Sequence, residues 1–137
     1  MRARLLVFFS VALFASAAHA GWVQIARDSD PAARRFALYI DPSSIVRKGE
    51  RVTVKVLLNM REPTDDGIHS VIAVDEYDCV SDRMRSRSVV SHAERDGKGR
   101  IVREFRNLGA WVNVEPGKIN DAVLESVCDF YPNWWSE

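Results

Sequence analysis

Apolar and polar residues alternate in short runs along most of this chain, the period-two pattern of strands that bury one face. The clearest case is the run in which Val52, Val54, Val56 and Leu58 fall on one side and Arg51, Thr53, Lys55 and Asn59 on the other, broken only by Leu57. Similar runs predict a first strand over 22–26 and a second over 36–40, the latter ended by Asp41-Pro42-Ser43-Ser44, where proline removes a ladder donor and the short polar side chains bond nearby backbone. Lys48-Gly49 turns the chain into the third strand. Past a polar loop over 61–67, residues 70–79 read as a fourth strand and 83–92 as a fifth, joined by a link short enough to make them a hairpin. Arg95-Asp-Gly-Lys-Gly99 turns the chain into a sixth strand over 101–105. The stretch 110–114, centred on Trp111, either extends that strand or forms a short one of its own.

After Pro116-Gly117 the period changes. Ile119, Val123, Leu124, Val127, Cys128 and Tyr131 recur every three or four residues, one stripe of an amphipathic helix of about three turns that meets no proline until Pro132. The expected fold class is therefore α+β: an antiparallel sheet of about six strands with a C-terminal helix packed on it. Strand parity then sends Val71, Ala73, Tyr77 and Cys79 toward the helix. Asp75 shares that parity, so it must sit at a wet margin, find a partner or mark a bulge.

The first twenty residues follow a different pattern. Arg2 and Arg4 precede an apolar run, and a small-residue stretch ends Ala18-His19-Ala20, which reads as a secretory signal peptide over 1–20 cleaved before Gly21. The run from Leu5 to Ala18 is 14 residues, short of the ~20 needed to cross a bilayer. Residues 21–137 are then a single domain with no further membrane span. No cysteine stands at the cleavage point, so the product is expected to be exported, periplasmic or secreted, and not a lipoprotein. Export gives Cys79 and Cys128 their meaning: an even pair in an oxidising compartment is a disulfide, here one that staples helix to sheet.

Composition adds little until it is divided. The 137 residues carry 19 Lys+Arg and 19 Asp+Glu, a formal charge of zero that removes any expectation of nucleic-acid binding. Without the first twenty residues the balance is 17 basic against 19 acidic. The charges are unevenly placed, however. Arg83, Arg85 and Arg87 share one face of the fifth strand, with Met84, Ser86, Ser88 and Val90 on the other, and Glu76 and Asp78 share a face of the fourth. Placed in register, they form an exposed cross-strand ladder of ion pairs. The arginines are either a solvated face balanced by these acids or a binding surface for an acidic partner, such as a sulfated glycan or an acidic protein segment. The tail has four aromatics between Phe130 and Glu137; these pack over the sheet, or Trp134 and Trp135 mediate self-association, making the protein a monomer or weak homodimer. Asp65-Asp66-x-x-His69 is better explained as a polar loop than as a metal or catalytic cluster, and no nucleophile elbow or phosphate loop is present. No catalytic residue, metal or cofactor is expected.

One ordered set of residues carries a resemblance. Trp22; Tyr39-Ile-Asp41-Pro42-Ser-Ser-Ile45; Gly49 with Val52 and Val54; Glu76-Tyr-Asp-Cys79 followed by Arg83 and Arg85; Trp111-x-x-Val114-x-Pro116-Gly117; and Leu124-x-x-x-Cys128 together resemble the surface-adhesin protein E family of Gram-negative bacteria, over about residues 22–128. The resemblance implies an antiparallel sheet with a helix tied by the cysteine pair. It also implies a non-enzymatic protein on or beneath the cell surface, binding host matrix or other extracellular proteins. The alternative is a periplasmic envelope protein, structural or stress-related, with no host ligand.

Overall fold

A computed structural model describes residues 21–26, 35–107 and 109–130. The strands are β1 (Val23–Ala26), β2 (Phe36–Lys48), β3 (Arg51–Met60), β4 (Ser70–Asp78), β5 (Arg83–His92), β6 (Ile101–Arg106) and the two-residue β7 (Val112–Asn113). The first six form an antiparallel meander in chain order, and β7 pairs with β5 beyond the end of β6. The helix α1 (Ile119–Glu125) runs on into a wider turn over Ser126–Phe130. The expected sheet, helix and disulfide are all present, with Cys79 and Cys128 joined across 49 residues.

The core lies on the face the alternation picked out. Leu38, Ile40, Val52, Val54, Val56, Tyr77 and Met84 from the sheet pack against Val123, Leu124 and Val127 from the helix. Fully burying one such side chain contributes about 1.5–3 kcal/mol. The disulfide secures the far end of the helix to this face. Val71 and Ala73 share its parity but are only half-buried and stand outside that core.

Two expectations are corrected, and one left open is decided. The second strand does not stop at Asp41. It bulges between Asp41, opposite Lys55, and Val46, opposite Thr53, and resumes to Lys48. Within the bulge Asp41 Oδ1 accepts the Ser43 N–H and hydroxyl at 2.9 and 2.6 Å, while the Ser44 hydroxyl accepts the Lys55 N–H at 2.8 Å. The polar side chains thus stand in for ladder bonds, and Ile45 is returned to the core. Second, residues 110–114 do not extend β6. The other reading holds: Asn107 takes a left-handed φ of 59° and turns the chain out of β6, and Val112–Asn113 form a short strand of their own. Third, the three arginines and the run Met84, Ser86, Ser88, Val90 do not occupy opposite faces throughout. The β4–β5 register shifts between Val74, opposite Ser88, and Asp75, opposite Ser86, leaving Arg87 as the extra residue. From Ser88 onward the faces exchange.

Asp75 resolves its parity problem in two of the three expected ways. It lies beside that bulge and accepts a 2.7 Å hydrogen bond from the Ser86 hydroxyl, while being buried.

Candidate functional site

The outer face of the sheet is divided between two structures. At one end the turn between β5 and β6 folds back over it. Asp96 and the buried Asn59 exchange two hydrogen bonds at 2.7 and 2.8 Å, and the Gly97 N–H donates to the Ser70 hydroxyl. Gly97 has a φ of 68°, and a Cβ there would run into Ile72, so the turn can sit this close only with glycine. At the other end lies an open groove of about 680 Å³ across β2, β3, β4 and β5.

The groove is built around Glu76. Its register opposite Thr53 and Arg85 sets it on the outer face, where its side chain is only 5% exposed. Arg87 and Arg85 donate to its two carboxylate oxygens at 2.6 and 3.0 Å, and Arg51 stands 3.9 Å away. Arg51 and Arg87 keep about half their side chains in solvent, at 54% and 56%. Arg87 is therefore held at one edge by a buried acid and, like Arg51, keeps donors in solvent, whereas Arg85 is largely covered and its Nε is buried. Lys48 adds a fourth cation against Glu50 and Glu76, so positive charge prevails around the groove.

Trp111 stands over the neighbouring arginines. Continuing the β5–β7 register places it opposite Arg85, and its ring centroid lies 4.6 Å from the Arg85 guanidinium carbon, 5.2 Å from that of Arg51 and 5.5 Å from that of Arg83. Asp78, opposite Arg83 and 3.5 Å from its guanidinium, also receives the Ser81 and Val80 N–H groups at 3.1 Å. The Ser81 hydroxyl and N–H, followed by Val80 and Arg83, hold its carboxyl down to about 2.

The pairing of Arg83 and Arg85 with Asp78 and Glu76 follows the expected ladder, but it is not an exposed one. Both acids are buried, because the long arginine side chains and Trp111 lie across them. From the sequence alone Arg51 is only a polar position of the third strand and Lys48 part of a turn, and neither is read as a site residue. Arg51 could have been found from Val52 and Tyr77: once these core residues are set opposite each other, Arg51 must fall on the face of Glu76. Asp66 receives the Thr64 hydroxyl and pairs with Arg103, and the Thr64 bond first of all lowers its carboxyl below the usual range. His69 does not join it in a metal site; among the described residues no group of three His, Cys, Asp or Glu side chains could hold a metal ion. Trp134 and Trp135 lie outside the described residues, as does the segment 1–20. Among the described residues no helix is long and apolar enough to cross a membrane.

Glu76 is thus the electrostatic centre of the site. Replacing it with Gln leaves three convergent guanidiniums without their counter-charge, and is expected to lower stability by about 2 kcal/mol, less than for a fully buried pair because the arginines reach solvent. Urea titrations at low and high salt check this: the loss should shrink as salt screens the arginines, and a salt-independent loss would contradict it.

The described chain is thus a one-layer antiparallel sheet with a helix stapled to its back and a cationic groove on its open face. The chain belongs to the surface-adhesin protein E family, whose family model matches residues 22–129. No curated protein and no solved structure matches it.

Proposed function

We propose that the protein is exported after loss of residues 1–20 and binds an extracellular protein, such as a component of the host matrix, by gripping an acidic segment in the groove lined by Lys48, Arg51, Arg85 and Arg87. The observation that carries this reading is the anchoring of three arginines on one buried carboxylate. A guanidinium already fixed at one edge loses less freedom when its outer donors meet a second carboxylate. Arg83, on Asp78 beside the groove, extends the cationic surface along β5.

The test is binding of the oxidised domain to immobilised matrix proteins, with Arg85→Glu and Arg87→Glu as variants. Each is expected to weaken binding about tenfold or more, since a charge reversal at a contact replaces attraction with repulsion; because each also sets a second acid against Glu76 and lowers stability, binding is compared at a temperature where circular dichroism shows the variants folded. Binding that ignores both reversals would remove the groove from the reading. Fractionation separates the second reading: protein confined to the periplasm, with no matrix binding, would make it an envelope component without a host ligand.

A further inference from the structure

The cations of the groove are not equally available. In register, Val46, Thr53, Glu76 and Arg85 form one row across the outer face of the sheet, and Lys48, Arg51, Asp78 and Arg83 form the next. Arg85 is already engaged by Glu76 and the Trp111 ring. Arg51 is placed differently. The Trp111 ring centroid lies 5.2 Å from its guanidinium carbon and Glu76 stands 3.9 Å from it, yet among the described residues no hydrogen bond engages its guanidinium. Exposed Lys48 lies opposite it on β2. Two residues before Lys48, on the same face, Val46 lines the groove as an apolar side chain left 52% exposed.

The sheet fixes the distance between these features. Alternate residues of a strand stand about 7 Å apart on one face, so Lys48 and Arg51 are separated by that much from Val46 and Thr53. An extended peptide lying along β2 and β3 repeats its own side chains at the same distance, residues i and i+2 on one side. A carboxylate at i on Arg51 and Lys48 therefore carries the side chain at i+2 onto Val46. Moved toward the β2–β3 turn, the acid would meet Glu50, which also lines the groove. Four cations and two acids line it in all, a net of two positive charges, which suits a short acidic segment better than a polysulfated chain. Farther along the same face the row Leu57, Ile72 and Val90 is apolar, and the β5–β6 turn closes over it at Gly97.

We propose that the groove selects an acid–x–aliphatic triplet in an extended peptide, with the acid gripped by Arg51 and Lys48 and the aliphatic side chain seated on Val46. This rests on the groove binding an acidic segment, as proposed above, and specifies which segments it takes.

Nuclear magnetic resonance titration of the isotope-labelled oxidised protein with capped peptides tests the triplet. The first peptide is Gly-Ser-Glu-Ser-Leu-Ser-Gly; in a second the leucine is replaced by serine, and in a third it is moved next to the glutamate. The first is expected to bind about tenfold more tightly than the others, since only there does the acid bring the leucine onto Val46. In Val46→Ser that advantage should fall to within about twofold, and Arg51→Ser should weaken all three peptides alike by about fivefold or more. Equal affinity for the three peptides, undetectable binding included, or a preference that survives Val46→Ser would overturn the triplet. The groove reading would stand apart from that result if matrix binding still falls in Arg85→Glu and Arg87→Glu, and would fall with it if matrix binding ignores both. A sulfated oligosaccharide that binds more tightly than the first peptide would make sulfate density the feature read. Peptide binding seen only after deletion of residues 131–137 would also overturn the proposal, by assigning the groove to the chain's own tail.

Discussion

Replacing Cys79 and Cys128 together with serine is expected to lower the stability of the domain by about 4 kcal/mol. The bridge closes 49 residues, and in the chain-entropy account a loop of that length restricts the unfolded ensemble by this amount. Small domains are stable by only about 5–15 kcal/mol in all, so the loss would be about a quarter or more of the total. It should also be selective. The core contacts of Val123, Leu124 and Val127 do not depend chemically on the bridge, but the helix that carries them is short, and without its tether little else orders it on the sheet. Urea unfolding of oxidised and reduced protein measures the difference. A change below about 1 kcal/mol would show that the helix holds its place by packing alone.

The second large effect has the opposite sign. Asp75→Asn is expected to stabilise the domain at pH 7 by up to about 3 kcal/mol. Burial raises the Asp75 carboxyl from 3.8 to about 6, against the smaller lowering effect of the Ser86 hydroxyl. A carboxyl whose pKa is higher in the folded state binds its proton more tightly there, so its contribution is fully favourable below about pH 3.8 and is lost as pH rises through about 6. At neutral pH the charge must be held in the core face beside Tyr77, whose hydroxyl is buried without a hydrogen-bond partner among the described residues and is itself pushed up by burial and by Asp75. The amide keeps an acceptor for Ser86 and carries no charge. Thermal midpoints from pH 4 to pH 7 should therefore fall less steeply in the variant than in the natural protein. Parallel curves would mean that Asp75 is solvated when charged.

Where the pattern of the chain was one-sided, it could be read directly. The alternation over 52–58 placed the core face, the change of period after Gly117 placed the helix, and the cysteine pair tied one to the other. What could not be read was decided by residues whose role depends on register. Pro42 looks like a strand end in isolation; only the replacement bonds from Asp41 and Ser44 let the strand continue past it. Arg87 looks like the third member of a regular stripe, yet it reaches Glu76 from a bulge. The same limit applied to the site. Three arginines and two acids on neighbouring strands were legible, but their anchoring on a buried Glu76, and the contributions of Lys48, Arg51 and Trp111 from three other parts of the chain, needed the sheet to be assembled first.

The position of the disulfide in the chain bears on how the domain responds to mechanical load. Tension entering at residue 21 and leaving near residue 130 passes from Cys79 directly to Cys128, so the chain between them carries none of it. At roughly 3.5 Å per extended residue, about 170 Å of chain is kept from paying out when the domain is pulled open. Arg83, Arg85 and Arg87 lie within that shielded loop, whereas Lys48 and Arg51 lie on the strands that bear the force. A domain anchored to a surface and pulled by flow would thus part its groove between β3 and β5 while the β5 half kept its covalent frame.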